Sequence, residues 1–159
     1  MSENELLIDS PQALRLVMSD DLYLITEKNR PEGFDYLGDN NKYLLVLHNS
    51  PVSVTERDFL LQVLKAVQYE LKDIALLDYS KYPLTDIQTL KGYFSFTRLM
   101  SFGVSSRELH IHEPIPTMEH TLYQGMGVIF CPAGLKEISG DRAQKSALWS
   151  AMQYLFGLK

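Results

Sequence analysis

One cysteine, Cys131, is all the chain has. An internal disulfide framework is therefore excluded, and a reducing, cytoplasmic setting is the expectation. No apolar run approaches the roughly 18 residues of a membrane span. The opening Met1-Ser2-Glu3-Asn4-Glu5 lacks the basic leader of a secretory signal. Positive charge is also scarce: 15 Lys and Arg stand against 20 Asp and Glu, for a net charge of -5. That balance argues against direct, strong nucleic-acid binding, which draws its affinity from a basic footprint that releases counterions. There is no GxxxxGK[ST], so a phosphate-binding loop of that kind is excluded. Gly125-Met126-Gly127 is followed by Phe130 where a dinucleotide fingerprint needs glycine, and it enters a strand instead of opening a helix. A close backbone approach at a strand start explains Gly127 better. No internal repeat, low-complexity tract or linker marks a second folded domain.

What is present is an ordinary globular composition, 45% hydrophobic and 22% charged over 159 residues, enough for one domain with a sizeable core. Residues 1–20 read as an acidic-edged arm, in which Leu14, Val17 and Met18 fall at helical spacing. This is either an outer helix of the domain or a peptide that docks onto another protein. Residues 21–159 read as a single α/β domain. Leu22 to Ile25 is a short strand candidate. Tyr43 to His48 is a continuous apolar run of the kind that is covered on both faces. Ser53 and Glu56 then fit a capping box. The helix they open is expected to run to about Leu71, burying Phe59, Leu60, Val63, Leu64, Val67 and Leu71. Ile74 to Asp78 is a second strand, completing a βαβ unit. Thr85 is expected to cap a short helix through Leu90. Phe94 to Phe102 reads as a further strand, with a helix as the alternative. Residues 104–123 carry no clear period, with Pro114 and Pro116 forcing extended backbone. Gly127 to Cys131 is the next strand, stopped by Pro132, and Ser139 or Asp141 caps a final helix with Leu148, Met152, Leu155 and Phe156 on one stripe. Strands alternating with helices predict a three-layer, Rossmann-like α/β domain with a mainly parallel sheet of four or five strands and no phosphate-binding loop.

In such a sheet, ligands sit beyond the carboxyl ends of the strands. Those ends offer His48-Asn49-Ser50, Asp78-Tyr79-Ser80, Gly103 and Cys131-Pro132. One reading makes Cys131 a nucleophile, His48 its base and Asp78 the orienting carboxylate. The other makes Cys131 a small buried hydrophobe and the remaining two strand-end hydrogen-bonders. His110 and His112 share a face if their segment is extended, but a zinc site needs a third protein ligand and none has a recognised spacing. No cofactor and no metal is expected. Tyr79, Tyr82, Tyr93 and Tyr123 lack interleaved basic residues, which suits a core or protein interface better than a single-strand-binding face.

Val128-Ile129-Phe130-Cys131-Pro132-Ala133-Gly134-Leu135-Lys136-Glu137-Ile138, followed by Asp141 and Lys145-Ser146-Ala147-Leu148-Trp149, resembles the psi subunit of bacterial DNA polymerase III holoenzyme. In that family a strand ends in a small-residue "P-S-L" turn, an acidic short helix follows, and a "K-x-x-L-W" helix comes next. Lys145 to Trp149 matches the last part as it stands. Leu60 to Leu71 looks like the family's first crossover helix, and Ser101-Phe102-Gly103 like its strand ending in "F-G". Ala133-Gly134 departs from the small-hydroxyl turn, and the arm lacks the tryptophan that the family's clamp-loader peptide can use. The resemblance implies a non-enzymatic DNA-replication accessory. It would bridge the clamp loader, through its N-terminal arm, to a chi-like subunit and so to single-strand-binding protein, with Leu14, Val17, Met18 and Trp149 as the partner-binding candidates. The alternative is a small α/β enzyme, or a relative of the uracil-DNA-glycosylase fold, with its site around His48, Asp78 and Cys131.

Overall fold

The computed structural model describes residues 33–158. Leu14, Val17, Met18 and the strand expected at Leu22 to Ile25 lie outside the described residues. The elements belong to one unit, Tyr36–Lys159. In chain order they are β1 (Tyr36–Leu37), β2 (Leu44–His48), α1 (Val54–Lys65), β3 (Ile74–Asp78), α2 (Ile87–Phe94), β4 (Arg98–Phe102), β5 (Thr121–Tyr123), β6 (Met126–Cys131), α3 (Leu135–Ser139) and α4 (Arg142–Leu155). Single 3₁₀ turns, Leu71–Asp73 and Tyr79–Lys81, flank β3.

The fold is α/β, around a mixed six-stranded sheet of order β1-β3-β2-β4-β6-β5. The four inner strands pair in parallel. The two edge strands, β1 on β3 and β5 on β6, run antiparallel. The parallel character expected from the sequence therefore holds for the inner strands, while the edges make the sheet mixed and larger than four or five strands. The inner strands are apolar on both faces, as burial from both sides requires. One face carries Leu44, Val46, Ile74, Leu76, Met100, Phe102, Ile129 and Cys131, packed with residues of α1, α3 and α4. Alternation turns Leu45, Leu47, Ala75, Leu77, Leu99, Val128 and Phe130 to the other face, where they are equally buried. Ile87, Leu90 and Phe94 of α2 are buried too. The step from β2 to β3 goes one way along the sheet, and the step from β3 to β4 goes back past β2. Right-handed crossovers in both steps put α1 and α2 on opposite faces.

Local chemistry sets the helix limits. Ser53 and Glu56 close the expected capping box on α1. The helix stops at Lys65, short of Leu71, and the chain then turns through Gln68 in left-handed backbone (φ 65°). Leu60 and Leu64 are fully buried, whereas Phe59, Val63, Val67 and Leu71 only pack partly against the core. The start of α2 falls one residue later than expected. Asp86 accepts the Thr89 N–H at 2.8 Å, while the Thr85 hydroxyl donates to the Tyr82 carbonyl at 2.7 Å. The aspartate reaches the helix N–H because its side chain is not already committed to the preceding turn. Asp141 caps α4, accepting from Ala143 and Gln144. At Gly127 a Cβ would lie 2.6 Å from Leu155 and 3.2 Å from His120, the close approach expected there.

The amino end of the sheet is tied to the end of α4 by one cation. Arg98 donates from Nε to the Leu155 carbonyl at 3.0 Å and from Nη1 to the Tyr69 hydroxyl at 3.1 Å. Its guanidinium also lies over the Phe156 ring, which meets Tyr69 edge to face. A cation at a helix carboxyl end complements the helix dipole. Arg98→Ala is expected to cost about 2–3 kcal/mol, the range for charged hydrogen bonds lost in a partly buried site. Arg98→Lys should recover less than half, because an ammonium cannot reproduce the planar fork. Urea midpoints of the two variants measure this, and equal losses in both would contradict the role of the fork.

Candidate functional site

His48, Asp78 and Cys131 end three of the inner strands. The register sets His48 level with Asp78 on one side and with Phe102 on the other, and Phe102 level with Cys131. Cys131 is thus two strands from His48, about 9.6 Å at ordinary strand spacing. The buried Phe102 occupies the position between them on the same face. The structure does not bring the three side chains together. Burial pushes the Cys131 thiol up to about 12, so it stays protonated at neutral pH and is a poor nucleophile. Asp78 caps the turn that follows β3. Its Oδ1 accepts from the Ser80 N–H at 3.0 Å and from the Ser80 hydroxyl at 2.5 Å.

His48 is committed elsewhere. The Leu135 N–H donates to its Nε2 at 3.2 Å. That nitrogen must therefore lack a proton, which leaves Nδ1–H to donate to the Ser50 carbonyl at 2.9 Å. The histidine is buried, and it supplies the amino-terminal cap that α3 lacks, since Gly134 has no side chain to give. A neighbouring N–H of the same turn, that of Lys136, faces the Glu56 carboxylate and helps to hold it ionised. Glu56 Oε2 also stands 3.8 Å from His48 Nε2. Glu56 meanwhile accepts the Ser53 N–H at 2.9 Å. The starts of α1 and α3 and the end of β2 thus meet at one polar node. Gly134 makes the approach possible, for a Cβ there would lie 3.2 Å from His48 Nε2 and 3.1 Å from Glu137 Oε1.

Trp149 lies on α4, 36% exposed. It edges a recess of about 240 Å³ between α1 and α4, lined by Phe59, Gln62, Val63, Ala66, Lys145, Leu148 and Trp149. Most of that wall is apolar, although it faces solvent. Composition alone could not reveal the recess, because Ala66 and Gln62 carry no signal; the helical spacing of Phe59 and Val63 does place them on one side of α1.

His110 and His112 are separated by their loop. His110, in left-handed backbone (φ 62°), lines one cavity of about 360 Å³, and His112 lines another of about 600 Å³. Among the described residues no group of three His, Cys, Asp or Glu is placed to hold a metal ion. No described helix is long and apolar enough to cross a membrane.

Neither a family model nor a curated protein matches the chain.

The Ser53 N–H holds the Glu56 carboxyl below its ordinary value of 4.5, helped by the Ser53 hydroxyl and the Lys136 N–H and opposed by burial. A carboxyl lowered by folding stabilises the fold well above that value, and the contribution is lost as pH falls through the folded one. Glu56→Gln should therefore be less stable than the parent at pH 7 and converge on it as pH falls below 4.5; urea midpoints across that range show the effect, and a constant gap would refute it. His48→Ala leaves the Leu135 N–H buried without its partner, at about 1–3 kcal/mol. Gly134→Ala should cost less in that background than in the parent, a coupling that a double-mutant cycle reads directly.

Proposed function

We propose that the chain is a replication accessory of the psi type, a non-enzymatic bridge between a clamp loader and a chi-like subunit. Its inner parallel strands form a Rossmann-like core without a phosphate-binding loop. The observation that carries the proposal is the recess beside Trp149. It is apolar, it faces solvent, and it lies on the same helix as the Lys145-Ser146-Ala147-Leu148-Trp149 stretch that resembles the family. A tryptophan held at the lip of an apolar recess is the side chain most able to anchor a protein partner. The net charge of -5 suits protein contacts better than a nucleic-acid backbone. In this reading the arm carries the clamp-loader contact through Leu14, Val17 and Met18, and Trp149 carries the chi-like one.

An enzyme built on Cys131, His48 and Asp78 is the competing reading, and the geometry disfavours it. It would need a thiolate and a nearby base, whereas Cys131 is buried with a raised pKa and His48 caps α3.

The test uses the full chain with purified clamp-loader and chi-type subunits of its host. Both should bind. Removing residues 1–20 should abolish clamp-loader binding and spare the chi-type contact. Trp149→Ala should do the reverse, weakening the chi-type contact about 30-fold or more, as loss of an interface anchor does. Failure of the full chain to bind either protein would end the proposal. A Cys131 that reacts with a thiol reagent faster than the protein unfolds would revive the enzyme reading.

A further inference from the structure

The four inner strands run in the order β3-β2-β4-β6, so the connections from β2, the first of the four in sequence, and from β4 leave in opposite directions along the sheet. Their carboxyl ends are a topological switch point, the place where open α/β sheets leave a crevice for ligands. Asn49 follows β2 there and Gly103 follows β4. Gly103 has φ 83°, and a Cβ on it would fall 2.5 Å from the Asn49 amide, so the glycine makes room for that side chain at the mouth of the crevice. Beside it lies the cavity of about 360 Å³, within the size range of small-molecule sites.

The lining is two-sided. Pro83 and Leu84 form an apolar wall, while Asn49, Arg107 and His110 bring donors. Leu84 is 82% exposed and sits in left-handed backbone (φ 69°), as does His110. Such backbone is costly for a bulky residue and collects at binding sites. The Arg107 guanidinium and the Asn49 amide each make no hydrogen bond or ion pair to the described residues. Glu108, the acid on this lining, is occupied, its Oε2 accepting the Ser105 N–H at 2.9 Å. Arg107 also borders the second cavity, of about 600 Å³, and so stands between two spaces on the carboxyl side of the sheet.

We infer that this crevice binds a small organic anion, with a phosphate or carboxylate on Arg107 and an apolar body against Pro83 and Leu84. The free guanidinium supplies a planar fork for either acid, and Asn49 adds neutral donors. The site is independent of the Trp149 recess and of any bridging role.

The experiment titrates the isotope-labelled full chain with phenyl phosphate, benzoate and inorganic phosphate, each to about 10 mM, and follows backbone amide shifts. At least one aromatic acid should give saturable shifts at Asn49, Ser80 and residues 107–110, and should bind more tightly than inorganic phosphate. Which acid binds better identifies the anionic group. Arg107→Ala should weaken binding about tenfold or more with an unchanged melting temperature, since its guanidinium has no partner to lose. Leu84→Ala should weaken the aromatic acids while leaving inorganic phosphate unaffected. Lys145→Ala, at the other recess, should bind like the parent. The inference is overturned if neither aromatic acid gives saturable shifts at these residues, if Arg107→Ala binds them as the parent does, or if inorganic phosphate binds as tightly as they do.

Discussion

The contact on which the carboxyl-terminal third depends is a hydrogen bond from the Leu135 N–H to His48 Nε2. A five-residue helix cannot sustain itself, since the cost of its first turn is barely repaid before it ends. Its exposed N–H groups must be met from outside. In this chain they are met by an imidazole at the end of β2 and a carboxylate from the first turn of α1. The sheet, the first crossover helix and the carboxyl-terminal helices are thereby fixed to one another by polar contacts above an apolar core. The same contacts engage both ring nitrogens of His48, one accepting from Leu135 and the other donating to the Ser50 carbonyl.

The two ends of the sheet have different tasks. At the amino end, Arg98, Tyr69 and Phe156 lock the last turn of α4, and polar and ring contacts satisfy one another. At the carboxyl end, Asp78 and His48 are absorbed into caps, but the Arg107 and Asn49 side chains make no hydrogen bond or ion pair to the described residues. Polar contacts thus brace both ends of the sheet, and side chains without a partner among the described residues lie at the carboxyl end. That end is the usual one for ligands in sheets whose inner strands are parallel.

Much of this was legible in the residues. The unbroken apolar runs of β2, β3 and β6 announced strands buried on both faces, and Ser53 with Glu56 announced the start of α1. The edge strands were not legible. Tyr36–Leu37 and Thr121–Tyr123 are only two and three residues long, too short for a period to register, and their place is set by pairing with distant strands. The end of α1 was overestimated because Val67 and Leu71 continue its apolar stripe, while the left-handed turn at Gln68 has no glycine to signal it. His48 was visible as a strand-end polar residue. Its role depended on Gly134, 86 residues away in sequence, and no local pattern could join them. Asn49 was visible as a strand-end residue but Arg107 was not, and what sets both apart is a side chain that pairs with no other described residue, a property of the folded chain alone.

Trp149 is the only tryptophan in the chain, and it borders the recess between α1 and α4. Its indole therefore gives the molecule a single optical probe at a single surface. Emission from a ring about one-third open to water shifts to the blue when water is displaced from its face and to the red when the helices part. Unfolding and docking thus move the same signal in opposite directions, so the two events can be told apart in the native sequence without any introduced label.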